Sequence, residues 1–300
     1  MKLKVLVLKK QQLIWAIVIV AVIIASILLF ISIRNNDRPS TVSSQNKYTA
    51  DLNNDGKDDS IVLNTDEETG KYTVNVVLNN GKGFTLEPDP TINSLGYCKE
   101  WWNMSVSVKD INKDNVEEII LQSADDSGPI LHVFRYDSST DTMKRLTSGR
   151  YSMYGTLEEP SIGHPVIVLG YKIGEEMKLT YLDASGGKLS PYTSSASLTL
   201  GKDTISSVLA LVENKDVEAS TINIDSKYAN KFVKGEYLDC CLYEANYTKY
   251  EVPSECTYIM RTAANYEEFK DCMVYKIKLA LDSYENKVPV YRISSVSVLP

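Results

Sequence analysis

Nine residues, Asp51-Leu-Asn-Asn-Asp-Gly-Lys-Asp-Asp59, place an oxygen-bearing side chain at nearly every second position. Carboxylates packed this densely repel one another unless a cation sits among them. Ca2+ is a hard cation that takes six to eight oxygens at about 2.3–2.6 Å, and a loop curling around it turns alternate side chains inward. Counted from Asp51, positions 1, 3 and 5 are Asp51, Asn53 and Asp55, and position 9 is Asp59. Position 7, Lys57, lends its backbone carbonyl in such loops, so its side chain matters little. Gly56 at position 6 accepts the positive φ of a sharp turn without a Cβ clash. The competing reading is a solvated turn rich in Asp and Asn, whose side chains serve backbone N–H groups without metal.

An EF-hand needs a bidentate Glu at position 12 and a helix on either side. Position 12 is Val62, inside a β-like run, so that reading fails. The stretch Ala50 to Leu63, ADLNNDGKDDSIVL, resembles the FG-GAP or VCBS repeats of integrin-type propellers, in which a D-x-N-x-D-G-x-x-D loop leads into a strand. The resemblance spans residues 47–150 and implies Ca2+ held by Asp51, Asn53, Asp55, the Lys57 carbonyl and Asp59. The nonapeptide returns as Asp110-Ile-Asn-Lys-Asp-Asn-Val-Glu-Glu118. There the resemblance implies a second, weaker site at Asp110, Asn112, Asp114, the Val116 carbonyl and Glu118. This loop departs from the pattern at position 6, where Asn115 replaces Gly. Asn is the next best residue at positive φ.

Short strands must position these loops. The fold class expected is mainly β, with propeller-blade-like antiparallel repeats, an α+β C-terminal domain and an N-terminal transmembrane helix. Runs such as Thr73-Val-Asn-Val-Val77 alternate, and Tyr (19) far outnumbers Phe (5), both favouring β structure. The two acidic loops lie 59 residues apart, and the apolar run SIVL after the first matches IIL after the second. That is the length of one propeller-type blade. Residues from Tyr151 to Tyr192 have the same texture without an acidic loop and read as a degenerate third unit. The β-repeat domain is thus expected over 47–195.

After Leu200 the texture changes. Ile205, Val208, Leu209 and Val212 fall on one helical face, with Asp203 as N-cap. Long alternating strands come next: Met273, Tyr275, Ile277 and Leu279 share one face, and Lys276 and Lys278 the other. Helix then antiparallel meander predicts a separate α+β domain over 196–300. Its element order and its Pro-aromatic-basic-Ile ending resemble nuclear transport factor two-like domains of small clostridial lipoproteins and anchored proteins.

Leu13 to Ile33 carries no charge over 21 residues, about 31 Å as a helix and enough to span a bilayer. Lys2, Lys4, Lys9 and Lys10 precede it, which keeps residues 1–12 in the cytoplasm as a short tail and places everything after Arg34 outside. A cleaved signal peptide would have a shorter apolar part and an A-x-A-like site, which is missing after this segment. The start KVLVLKKQQL resembles that of some clostridial sporulation membrane proteins. Residues 34–46 are polar and aperiodic, a stalk. The formal charge is −7, and with +5 in the first 35 residues the remainder carries −12. Such an acidic exterior argues against nucleic acid as a partner and suits a protein that recruits cations.

Other chemistry is sparse. Five cysteines lack any C-x-x-C spacing, so a zinc site is not expected. They read as mostly free thiols, with a disulfide between Cys240 or Cys241 and Cys256 or Cys272 as the alternative. Trp101 and Trp102 could stack on sugar rings of a cell wall or pack in a core. His132 reads as a strand residue, and two histidines without partners argue against a nucleophile site. The function expected is therefore non-enzymatic: a membrane-anchored, calcium-binding module that binds or scaffolds an envelope protein or cell-wall glycan, with sporulation as one setting. The alternative is a wall-processing enzyme or accessory with a pocket in the C-terminal domain.

Overall fold

The computed structural model describes residues 47–158, 164–174, 176–185, 188–193, 198–213, 224–248, 252–265 and 270–299. The cytoplasmic tail, transmembrane helix and stalk expected over 1–12, 13–33 and 34–46 lie outside these. Among the described residues no helix is long and apolar enough to cross a membrane.

The first sheet is an antiparallel meander of β1 (Lys47–Ala50), β2 (Asp59–Thr65), β3 (Tyr72–Val77) and β4 (Gly83–Thr85). The second repeats it with β5 (Ser105–Lys109), β6 (Glu118–Asp125), β7 (Gly128–Asp137) and β8 (Thr142–Gly149). Each acidic loop joins the first strand of its sheet to the second. The ladder closes each loop at its base, Ala50 pairing with Asp59 and Lys109 with Glu118. Alternation sorts the side chains: Ile61, Leu63, Val74 and Val76 of the first sheet meet Met104, Val106, Ile119, Leu121 and Phe134 of the second in one core. The opposite face of the second sheet buries Ile120, Leu131 and Val133 against Tyr154, Ile167 and Leu169. With apolar neighbours on both faces, β6 is buried along its whole length.

The third unit has the same path through β9 (Met153–Leu157), β10 (Val166–Ile173), β11 (Glu176–Asp183) and β12 (Ser190–Pro191). The domain boundary expected between 195 and 196 does not separate it from the C-terminal strands. Strand β9 pairs in parallel with β13 (Gly235–Asn246), which continues through β14 (Glu255–Asn265), β15 (Lys270–Glu285) and β16 (Val288–Leu299) into one eight-stranded sheet. Gly155 makes that junction possible. It faces Leu242, and a Cβ at residue 155 would lie 2.4 Å from the Leu242 Cβ. An unpaired inner strand would expose a row of N–H and C=O groups, which β13 covers. All the described residues belong to one compact unit, Pro39–Pro300.

Helix α1 (Lys202–Glu213) buries Ile205, Val208, Leu209 and Val212, as their spacing predicts. Asp203 is not its cap: it lies in the first turn, and Gly201 at φ +72° turns the chain into the helix, its carbonyl accepting the Ile205 N–H. Short α2 (Ser226–Ala229) precedes β13. Tyr275, Ile277 and Leu279 are fully buried on one face of β15, while Lys276 and Lys278 are not. The tyrosines use both ends. Tyr258, Tyr237 and Tyr291 bury their rings and donate their hydroxyls to the carbonyls of Leu200, Ser152 and Pro253 at 2.6, 2.8 and 2.6 Å. A phenylalanine at 258 or 291 would take away the hydroxyl partner of the buried Leu200 or Pro253 carbonyl, a loss of about 1–3 kcal/mol each, whereas the Ser152 carbonyl would keep the Cys240 N–H.

A buried ion pair ties the second repeat to the long sheet. Asp239 on β13 accepts from Arg261 Nε on β14 at 2.6 Å and from Trp102 Nε1 at 2.8 Å, and Arg261 also donates to the Asn103 carbonyl at 2.8 Å. Trp102 is thereby a packing residue and presents no open face to a sugar.

Candidate metal centre

The first acidic loop is ordered by its own amides. The two carboxylate oxygens of Asp51 accept the N–H groups of Asp55 at 3.1 Å and Gly56 at 2.8 Å. Asn53 Oδ1 accepts the same Asp55 N–H at 3.0 Å, and Asp55 Oδ1 accepts from Lys57 at 2.9 Å. This path requires positive φ at Asn54 (58°) and Gly56 (81°). Asp59 points the other way, into the protein. Its oxygens accept the N–H of Leu52 at 2.9 Å, which braces the loop entrance, and of Asn79 at 2.8 Å. Burial raises its pKa.

The second loop repeats the amide bonds made within the first. Asp110 accepts from Asp114 at 3.2 Å and Asn115 at 2.8 Å, Asn112 from Asp114 at 3.1 Å, Asp114 from Val116 at 3.1 Å, and Glu118 from Ile111 at 2.9 Å. Lys113 (60°) and Asn115 (65°) hold the two positive φ values, so Asn115 does take the place of glycine.

The loops differ in charge. Arg135, on β7, hydrogen-bonds Asp114 Oδ2 and lies 3.8 Å from Glu118 Oε1. Extending each ladder by one residue sets Glu118 opposite Arg135 and Asp59 opposite Leu78, which is buried. Among the described residues no Lys or Arg pairs with Asp51, Asp55, Asp58 or Asp59. Burial pushes the Glu118 carboxyl up to about 7, against the opposing pull of the Ile111 N–H and the Arg135 charge.

Sequence reasoning also missed Glu117. Half-buried and raised by burial, its carboxylate accepts the Asp51 N–H and sits in the field of Asp51, Asp110 and Asp58, so it pins the first loop to the second repeat. Its signal was present only as a second acid beside the position-9 residue.

Among the described residues no three Asp, Glu, His or Cys side chains converge as a ready-made metal cage. The donor chemistry of the first loop nevertheless fits a hard cation. Asp51, Asn53, Asp55 and the Lys57 carbonyl supply oxygens, and each accepting oxygen keeps a second lone pair beyond the amide it serves. The second loop fits less well, because a guanidinium already claims Asp114 and faces Glu118. Asn53, Asp114 and Val116 also line one open cleft of about 620 Å3 with Arg135, Tyr136 and Lys188, so both loops face a common recess.

His132 and the cysteines Cys240 and Cys256 are buried. Burial lowers the His132 pKa, and its Nε2 lies 3.0 Å from the Ser94 carbonyl. All five cysteines are free thiols, and Cys240 and Cys241 face different cores, as adjacent strand residues must.

The model of the FG-GAP-like repeat family matches residues 51–121, from the first acidic loop through the second and into β6. No curated protein matches the chain. Among solved structures, the exotype rhamnogalacturonan lyase YesX is similar at 14% identity over 49% of this chain and 32% of its own, with a TM-score of 0.31. Rhamnogalacturonan lyase YesW is similar at 11% identity over 85% of this chain and 48% of its own, with a TM-score of 0.37. The chain spans less than half the length of either, and likeness at these scores carries no argument about activity. Residues 51–121 carry the FG-GAP-like repeat signature.

Proposed function

We propose that this chain is a non-enzymatic β-repeat binding module, stabilised by Ca2+ at its first acidic loop, and carried outside the cell membrane on its N-terminal apolar segment to engage an envelope protein or cell-wall glycan. The observation that carries the calcium reading is the first loop itself. Its own amides hold Asp51, Asn53 and Asp55, and among the described residues no basic side chain pairs with them. A hard divalent cation supplies the missing charge. The membrane part of the reading rests on the uncharged stretch from Leu13 to Ile33 and the lysines before it. The recess shared by the two loops is the surface where a partner would meet the metal-ordered loop.

Thermal melting of residues 39–300 tests the calcium reading. Extracellular modules bind Ca2+ at about 10⁻⁴–10⁻³ M. At a concentration about 100 times Kd, binding to the native state adds about 2.7 kcal/mol. That is a rise of roughly 5–10 °C for a chain of this size. With 10 mM Ca2+, about 10–100 times such a Kd, the rise is expected to be roughly 3–10 °C, much less with Mg2+, and absent in Asp51→Ala. An unchanged Tm in the unaltered protein would leave both loops as ordinary turns.

A further inference from the structure

We infer that the second acidic loop is closed to metal by the guanidinium of Arg135, so that the chain binds one Ca2+ and not two. This deepens the calcium reading of the first loop and, for the count of one, rests on it.

The two loops form an internal control. Their backbone hydrogen bonds coincide, their two positive-φ residues occupy the same positions, and their position-9 acids are both buried and both brace the loop entrance. What separates them is the residue that the neighbouring strand sets opposite that acid. In the first repeat it is Leu78, an apolar core residue that leaves the loop charge uncompensated. In the second it is Arg135, whose side chain is 16% exposed and reaches Asp114 and Glu118, the position-5 and position-9 donors of the expected metal set.

A guanidinium is a strong occupant. It stays protonated at any physiological pH, offers five N–H donors in a rigid fork, and loses little hydration when it pairs with a carboxylate. A Ca2+ ion entering the second loop would have to take the same carboxylates while a fixed positive charge stood within hydrogen-bond distance of one of them. Displacing Arg135 instead would leave its charge, and the buried Glu118, to find new partners against the core. The second loop therefore keeps its shape at any calcium concentration, and the response to calcium is confined to the first repeat.

Calorimetric titration of the full chain with Ca2+ alone tests this. The unaltered protein is expected to bind one ion. Arg135→Leu, which copies the first repeat, and Arg135→Gln, which keeps a hydrogen-bonding tip, are expected to bind two, with affinity at the second loop raised about ten-fold or more. Arg135→Lys retains the charge and should stay at one. In an Asp51→Ala background the count should fall to zero with Arg135 present and return to one with Arg135→Leu. Two ions on the unaltered protein would overturn the inference, as would folded Arg135→Leu and Arg135→Gln proteins that gain none. No ion on the unaltered protein but one on Arg135→Leu would sink the reading of the first loop and leave this inference standing. No ion on any of them would remove both. Should Arg135→Leu fail to fold, Arg135→Gln and the count on the unaltered protein still decide.

Discussion

The first and second acidic loops share a backbone and differ in how they balance charge. One leaves its carboxylates to the loop's own amides. The other has a cation from its own chain, Arg135, against Asp114 and Glu118. The difference teaches that a loop motif fixes a shape before it fixes a ligand. The amide bonds to Asp51 and Asp110 are alike, so the turn itself is made by Asp, Asn and the positive-φ residue at position 6. Whether the turn also holds metal depends on a strand that the motif does not include.

The largest effect expected from this contrast is a pH dependence at Glu118. Its folded pKa lies near 7 against an ordinary value of 4.5, because burial disfavours the charged form. A raised carboxylate pKa stabilises the fold fully below the unfolded value, and that contribution is lost as pH rises through the folded one. Urea unfolding without divalent metal should therefore show the unaltered protein losing up to about 3 kcal/mol, relative to Glu118→Gln, between about pH 4.5 and 7. Asp59→Asn should show the same sign, since burial raises Asp59 too. A gain in stability relative to Glu118→Gln as pH rises would mean instead that Arg135 outweighs the burial of Glu118.

A smaller effect sharpens the shared part of the comparison. Gly56 has φ +81°, and a Cβ there would meet nothing within 4 Å. Gly56→Ala should thus cost only the backbone strain, about 1 kcal/mol, while Asn115→Gly should be neutral or gain a few tenths. Equal losses at both positions would show that the two turns are not built alike.

Much of this architecture was legible. The 59-residue spacing of the loops predicts two matching meanders, and both form, with the third unit taking the same path without a loop. The helix face of Ile205, Val208, Leu209 and Val212 and the alternation of β15 were readable from periodicity alone. The fusion of the third unit to the C-terminal strands was not. A parallel pairing between β9 and β13 joins residues more than eighty positions apart, and its one local trace is Gly155. Arg135 was hidden for a different reason. The hairpin after β6 is tighter than the one after β2, so the repeat offset drops from 59 to 57 between β3 and β7. A fixed offset sets Arg135 beside Val76 and conceals that its true counterpart, Leu78, faces the loop acid.

On the proposed reading, calcium enters the first loop and leaves the second alone. Amide NMR of 15N-labelled protein during a Ca2+ titration reads both loops at once. The N–H signals of Asp55, Gly56 and Lys57 are expected to move and saturate, while those of Asp114, Asn115 and Val116 stay in place. Movement in the second loop at the same calcium concentration, or none in the first, would contradict that reading.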